Sequence, residues 1–412
     1  MKKFFRRALT AIFIVACVIS ATICVAAVQI FDGKGEWHTN DDDNQKIAMS
    51  RASQRAQLDA QKKAGVYLKT FSKTVNLELA EDEISAVTNN IIEIIGEVNF
   101  DKKIIPLSDS QTTILYTATL QAKIDPDGIY DWINRDETDK VAILRQNNDL
   151  QDAIQRNDEL AENLQEQYRS ATSQDEKNQI REQINDADRE FLAEQKLDAG
   201  NKLYYAKNYN GAMKLYDEAI QINPNYFGAY NNRGNVYDDL RQYERAIQDY
   251  DKAIELNPNY VLAYNNRGSV YDNLNQYDRA IQDYDEAIRL NPNFDKAYYN
   301  RGNAYLHKQQ YEQAFQNFDK AIQINPNYAL AYNNRGIIHF HNKQYERAVK
   351  DFDRAIQLNP NYTEAYNNRG AAYYFLKDYR QAIKSLDKAL ELNPNFERAK
   401  KTRQLCIEAM SK

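Results

Sequence analysis

The 412-residue chain carries only 8 Pro and 13 Gly, well below ordinary usage, which argues against a turn-rich β-sandwich. Hydrophobic residues make up 43%, charged residues 27%, and the formal net charge is −6; that is enough apolar content for more than one domain, and an acidic balance that disfavours nucleic acid as a partner. Cys17, Cys24 and Cys406 are too few and too scattered for a disulfide framework or a Cys-based zinc site.

The first element is an export segment. Lys2, Lys3, Arg6 and Arg7 precede an almost unbroken apolar run over residues 8–28, a charged start followed by a hydrophobic stretch. Val25-Ala26-Ala27 offers small residues for cleavage, yet the run is also long enough to cross a bilayer as a helix. A removed signal over residues 1–27 and a retained membrane anchor both stay open. Either one sends the chain out of the cytoplasm, to the periplasm or cell envelope. Apolar residues continue past Cys17, which disfavours a lipoprotein cleavage box there.

Residues 28–133 read as a small α+β domain. Ala48, Ala52, Ala56, Ala60 and Ala64 recur every fourth residue, a small-residue stripe that lets a helix approach a neighbour closely. Glu81-Asp82-Glu83 opens a second short helix with Ile84, Val87 and Ile91 on one face. Two strands follow, over residues 94–105 and 112–124, around a turn at Ser108-Asp109. Residues 134–192 contain no Gly or Pro, and Ile143, Asn147, Leu150, Ile154, Asn157, Ala161, Leu164 and Tyr168 are spaced alternately by three and four. That heptad seam breaks near Ser170 and resumes at Ile180, Ile184, Ala187 and Phe191, so the stretch folds back as a helical hairpin or pairs with another chain as a coiled coil.

From residue 193 to 396 one clock governs the sequence. Pro224, Pro258, Pro292, Pro326, Pro360 and Pro394 stand 34 residues apart, and so do Gly200, Gly234, Gly268, Gly302, Gly336 and Gly370. Ala212 to Ala382 and Tyr209 to Tyr379 keep the same register. Each unit holds two amphipathic runs joined by a polar turn and closed by Asn-Pro-Asn; the Asn before Pro ends the second helix, and the Asn after it suits the N-cap of the next first helix. Gly at the eighth position and Ala at the twentieth are small where the two helices cross, and Tyr side chains fill the space around them. One unit cannot bury both faces, so units must stack into a solenoid.

This pattern resembles the tetratricopeptide repeat in all six units. The resemblance implies a mainly α fold, a right-handed superhelix of helix pairs whose first helices line a concave face that holds other proteins. Lys196 and Leu203 replace Tyr in the first unit, as at an N-terminal cap, and residues 397–412 have the polarity of a terminal capping helix. Where many such repeats hold Leu, this chain holds Arg233, Arg267, Arg301, Arg335 and Arg369, which suits pairing with second-helix acids such as Asp249 and Asp283.

On the implied concave face, the sixth position of each unit gives Asn232, Asn266, Asn300, Asn334 and Asn368. Each amide offers a donor and an acceptor, so the ladder suits an extended peptide backbone; solvation of the helix surface is the alternative reading. Asp238, Asp239, Asp272 and Asn273 occupy the twelfth and thirteenth positions of units two and three, against Leu306, His307, Phe340, His341, Tyr374 and Phe375 in units four to six. One end is acidic and the other aromatic, which fits a basic segment followed by apolar anchors. Asn231, Leu262 and Asn266 stand where a carboxylate-gripping basic clamp would need Lys or Arg, so chaperone-tail binding is disfavoured.

Enzymatic chemistry finds no constellation here. His307 and His341 are a repeat apart, which is too far for a shared metal, and Gly33-Lys34-Gly35 does not continue into a phosphate loop. Asp41-Asp42-Asp43 reads as an acidic helix start before it reads as a cation site. No catalytic residue, cofactor or metal is expected. The helix around Arg55 to Lys63, the Ala64-Gly65-Val66-Tyr67 run and Leu79-Ala80-Glu81-Asp82-Glu83-Ile84 resemble the exported domain of flagellar assembly T proteins and related envelope lipoproteins, which implies an envelope setting. The resulting expectation is an exported, non-enzymatic scaffold that binds other proteins in the repeat groove and contacts membrane only through an uncleaved N-terminus. Its alternative is a structural component that self-associates through residues 28–133 and 134–192.

Overall fold

The computed structural model describes residues 29–39, 45–74, 88, 92–108, 111–124 and 137–411. The export segment, Asp41-Asp42-Asp43 and the short helix expected around Ile84, Val87 and Ile91 lie outside the described residues. The chain divides into two compact units, residues 1–224 and 225–412.

In the first unit, β1 (Gln29–Thr39), α1 (Gln45–Thr74), β2 (Ile92–Ser108) and β3 (Gln111–Ile124) form an antiparallel sheet of order β1-β3-β2 with α1 against it. Strands β2 and β3 are the two that alternation predicts. Strand β1 is an addition, and the Ala stripe explains it. Ala48, Ala52, Ala56, Ala60 and Ala64 are all buried, and α1 comes so close to β1 that a Cβ on Gly33 would lie 2.0 Å from the Ala56 carbonyl oxygen. The same atom on Gly35 would lie 2.2 Å from the Ala52 carbonyl oxygen. Glycines that read as a failed phosphate loop are the strand's half of a close helix contact.

Helices α2 (Glu137–Ser170) and α3 (Gln174–Tyr205) fold back on each other, with Leu164, Ala171, Ile180 and Ala187 packed together. The Ser173 hydroxyl accepts from the Glu176 N–H at 3.2 Å and caps α3. Of the two arrangements open to the heptad seam, this is the hairpin. It is fastened to the α+β block by Arg51. That wholly buried guanidinium lies 4.7 Å from the Trp37 ring centre and 4.2 Å from that of Phe191. It donates to Asp158 at 2.6 Å, Asn157 at 2.8 Å and Asp188 at 3.1 Å. Helix α3 then runs on without a break into the first repeat, pairing with α4 (Tyr209–Ile222).

The second unit contains five helix pairs: α5 (Phe227–Asp239) with α6 (Tyr243–Leu256), α7 (Val261–Asn273) with α8 (Tyr277–Leu290), α9 (Asp295–His307) with α10 (Tyr311–Ile324), α11 (Ala329–His341) with α12 (Tyr345–Leu358), and α13 (Thr363–Phe375) with α14 (Tyr379–Leu392). Helix α15 (Glu397–Met410) packs on α14 and α13. The eighth-position Gly is required by its neighbour: a Cβ on Gly268 would lie 2.7 Å from the buried Tyr284 ring. Each buried aromatic of this kind contributes roughly 1.5–3 kcal/mol of burial.

The Asn-Pro-Asn punctuation works differently from the expected N-cap. Tyr260, Phe294, Tyr328 and Tyr362 occupy the N-cap position without a side-chain cap bond. The Asn before Pro does the work. Asn257 ends α6, and its side-chain oxygen accepts from the Asn259 N–H at 3.1 Å, an Asx turn repeated at Asn291, Asn325, Asn359 and Asn393. The turn inside each pair places a non-Gly residue at positive φ: Arg241, Asn275, Gln309, Lys343 and Lys377. Among the described residues, no helix is long and apolar enough to cross a membrane.

Candidate protein-binding face

Within the second unit the first helices of adjacent pairs touch each other directly, α5 with α7, α7 with α9 and α11 with α13. Their orientation is locked by Arg at the seventh position. Arg267 makes a bidentate contact with Asp283 of its own second helix, Nε to Oδ2 at 2.8 Å and Nη2 to Oδ1 at 2.6 Å, and reaches Asp251 of the preceding second helix at 2.5 Å. Arg335 repeats this with Asp351 and Asp319, and Arg233 pairs with Asp249. The guanidinium of each also lies over the Tyr three residues earlier, as Arg267 does over Tyr264 at 5.7 Å. The expected Arg–Asp pairing is therefore present, extended by a link between repeats at Arg267, Arg301, Arg335 and Arg369.

With the helices so fixed, the sixth-position amides form rows that cross from repeat to repeat. Asn266 donates to Asn231 at 3.2 Å and to Asn235 at 3.0 Å. Asn300 donates to Asn265 at 3.0 Å, Asn334 to Asn303 at 2.8 Å, and Asn368 to Asn333 at 3.0 Å. Within a repeat, the fifth-position Asn donates to the sixth: Asn231 to Asn232, Asn265 to Asn266, Asn333 to Asn334 and Asn367 to Asn368. The ladder is thus a double column. The recurring Asn-Asn pair was a visible signal of the second column, but pairing across 35 residues is set by the offset between stacked helices and not by local spacing.

The twelfth and thirteenth positions form a second row with the same offset. Asp238 accepts from Asn273, Asp272 meets His307 Nδ1 at 3.3 Å, and Phe340 meets Phe375 edge to face with ring centres 5.3 Å apart. His341 stacks on Tyr311 at 4.1 Å, while Tyr374 lies beside both Phe375 and Tyr379. Phe375 also stacks on Tyr345 at 5.1 Å, yet remains 52% exposed. Tyr311, Tyr345 and Tyr379 are additions to the sequence-based set: each opens a second helix and lends a ring to this edge.

Burial, with Asp239 alongside, pushes the Asp238 carboxyl up to about 6. Burial also raises Asp272, against the opposing influence of His307. Among the described residues no three His, Cys, Asp or Glu side chains converge as a metal site.

A family model for the tetratricopeptide repeat matches residues 228–260, 261–294, 295–328, 329–362 and 363–396, and a second TPR repeat model matches residues 200–241. No curated protein matches the chain. Among solved structures the chain is similar to YrrB, a TPR protein with an unusual peptide-binding site, at 25% identity over 46% of this chain and 97% of that one, with a TM-score of 0.39. MamA is similar at 25% identity over 41% and 92%, with a TM-score of 0.37. Pseudomonas aeruginosa pilF is similar at 18% identity over 52% and 98%, with a TM-score of 0.49.

Proposed function

We propose that this chain, a tetratricopeptide repeat protein, is a non-enzymatic docking scaffold of the cell envelope that holds an extended segment of a partner protein on the first-helix face of its repeats. Tetratricopeptide repeats bind other proteins or peptides. The observation that carries the finer reading is the change along one continuous edge, from Asp238, Asp239 and Asp272 to Phe340, Tyr374 and the exposed ring of Phe375. Such an edge offers charge complementarity to a basic stretch and contact area to apolar anchors. The charged start and apolar run of residues 1–28 support export.

The reading is tested with the full chain and an immobilised peptide array that varies basic and apolar residues independently. Peptides carrying Lys or Arg at one end and Phe or Leu at the other are expected to be retained, and Asp238→Lys with Asp239→Lys is expected to release them. Retention that ignores both the peptide charge and this charge reversal overturns the reading.

A further inference from the structure

Strand β2 is one edge of the sheet in the first unit. Strand β3 runs along one side of it, and among the described residues no strand runs along the other. It pairs with β3 through Phe100↔Ala118, Lys102↔Tyr116 and Ile104↔Ile114, and residues directly opposite on antiparallel strands share a face. Ile114, Tyr116 and Ala118 pack in one core with Ala48, Ala52, Ala56 and Ala60 of α1. Phe100 and Ile104 therefore stand on the α1 face of the sheet. Helix α1 lies mainly over β1 and β3, so Phe100 stays 39% and Ile104 62% exposed. An open strand edge that carries two uncovered apolar side chains is a template for another strand.

The extent and charge of this edge select the strand that fits. The ladder to β3 is irregular between Ile95 and Asn99 and again after Pro106, and Pro106 has no N–H to offer a neighbour. The regular stretch that remains, residues 99–105, is centred on Lys102. A second copy laid antiparallel about a two-fold axis at Lys102 pairs every residue of that stretch. Asn99 meets Ile105, Phe100 meets Ile104 and Asp101 meets Lys103, each of them twice. The uncovered apolar residues then meet on the α1 face, and opposite charges meet on the other. Sliding one copy by two residues in either direction sets Asp101 against Asp101 or Lys103 against Lys103, like charges directly opposite.

We propose that β2 is a homodimer edge, along which the β2 strands of two copies pair antiparallel about Lys102 and join their sheets into one. This pairing is independent of the groove reading above. Its one unfavourable contact is Lys102 with its own copy. The Lys102 ammonium lies 5.7 Å from the centre of the Tyr116 ring of its own sheet, which draws it back from the axis, and the like-charge contact keeps the dimer weaker than a fully complementary edge would be. Each copy brings its own repeat array, so dimerisation makes the scaffold bivalent.

Sedimentation velocity of the full chain over a hundredfold range of concentration, in one mild detergent throughout, is the test. The wild-type chain is expected to pass from monomer to dimer. Asp101→Lys replaces two attractive cross-strand pairs with two repulsive ones and should weaken the dimer about tenfold. Adding Lys103→Asp to the same chain keeps the wild-type net charge and exchanges the two partners, so it should restore the dimer. Lys102→Thr should tighten it several-fold. All three residues are exposed, and circular dichroism melts verify that the variants fold. A wild-type chain that stays monomeric overturns the pairing. A dimer indifferent to Asp101→Lys associates through another surface and overturns it too. A charge exchange that fails to restore what Asp101→Lys removed, or a Lys102→Thr dimer no tighter than wild type, overturns the register.

Discussion

The side-chain amide of Asn266 donates to both Asn231 and Asn235 of the preceding repeat, at 3.2 and 3.0 Å. A ladder that reads in sequence as a row of ligand contacts is, at this rung, a clasp between neighbouring first helices. Removing it takes a donor from the buried Asn231 and one of two donors from Asn235, which the Tyr250 hydroxyl still serves at 2.8 Å, and each unmade bond of this kind costs about 1 kcal/mol. Asn266→Ala is therefore expected to destabilise the second unit by about 2 kcal/mol, and Asn368→Ala, which loses one cross-repeat bond, to Asn333, where Asn266 loses two, by about half as much. Urea denaturation followed by circular dichroism checks the order. Equal midpoints for the two variants would remove the clasp.

The turn within each helix pair stores strain that substitution can release. Gln309 sits at φ 58° and Lys343 at φ 58°, left-handed backbone that costs an ordinary side chain roughly 1–2 kcal/mol. Glycine relieves this and returns part of the gain as unfolded-state entropy. Gln309→Gly or Lys343→Gly should stabilise by about 0.5–1 kcal/mol. Asn275 at φ 59° tolerates the region through its short polar side chain, so Asn275→Gly should be close to neutral. Thermal melts of the three single variants make the comparison.

What was legible in the sequence is what local chemistry dictates. Pro, Gly and Ala at fixed offsets mark helix ends and crossings, because each such position constrains its own few residues. The Arg–Asp pairing was also accessible, since Arg233 and Asp249 sit 16 residues apart in one repeat. Strand β1 was not, because Gly33 and Gly35 owe their identity to Ala52 and Ala56 on a different element. Nor was Arg51, whose partners Asp158 and Asp188 lie 107 and 137 residues away. The N-cap expectation failed for a related reason: Asn257 makes its Asx turn before the next helix begins, which leaves the cap position to Tyr260.

Glu194 gives the first unit a pH dependence of unusual sign. It is 3% exposed on α3 with Oε2 lacking a hydrogen-bond partner, and burial, reinforced by Glu190, pushes its carboxyl from an ordinary 4.5 up to about 8. Below about pH 4.5 both folded and unfolded chains hold the proton. Between there and about pH 8 only the folded chain does, so stability falls as pH rises through this window and levels off above it. The loss is on the order of 5 kcal/mol. Glu194→Gln should flatten this fall in melts between pH 5 and 9. A wild-type chain that gains stability over the same range would contradict the assignment.

Asp238 sets a second pH dependence, in binding rather than folding. Burial and the adjacent Asp239 hold its carboxyl near 6, opposed by a hydrogen bond with Asn273, and Tyr284 on the neighbouring α8 feels its charge. Its negative charge is therefore largely present at pH 7 and largely absent at pH 5. A peptide whose basic end lies against this acidic edge should bind several-fold more weakly at pH 5 than at pH 7, and the difference should shrink as salt screens the exposed share of the attraction. His307 faces Asp272 one repeat along, so the wild-type profile contains more than one group. Asp238→Asn isolates the contribution: it lowers affinity at pH 7 to near the acid value and leaves only the residual slope. Anisotropy titrations of both proteins between pH 5 and 8 measure it. Parallel wild-type and variant profiles would place the partner's charge somewhere other than against Asp238.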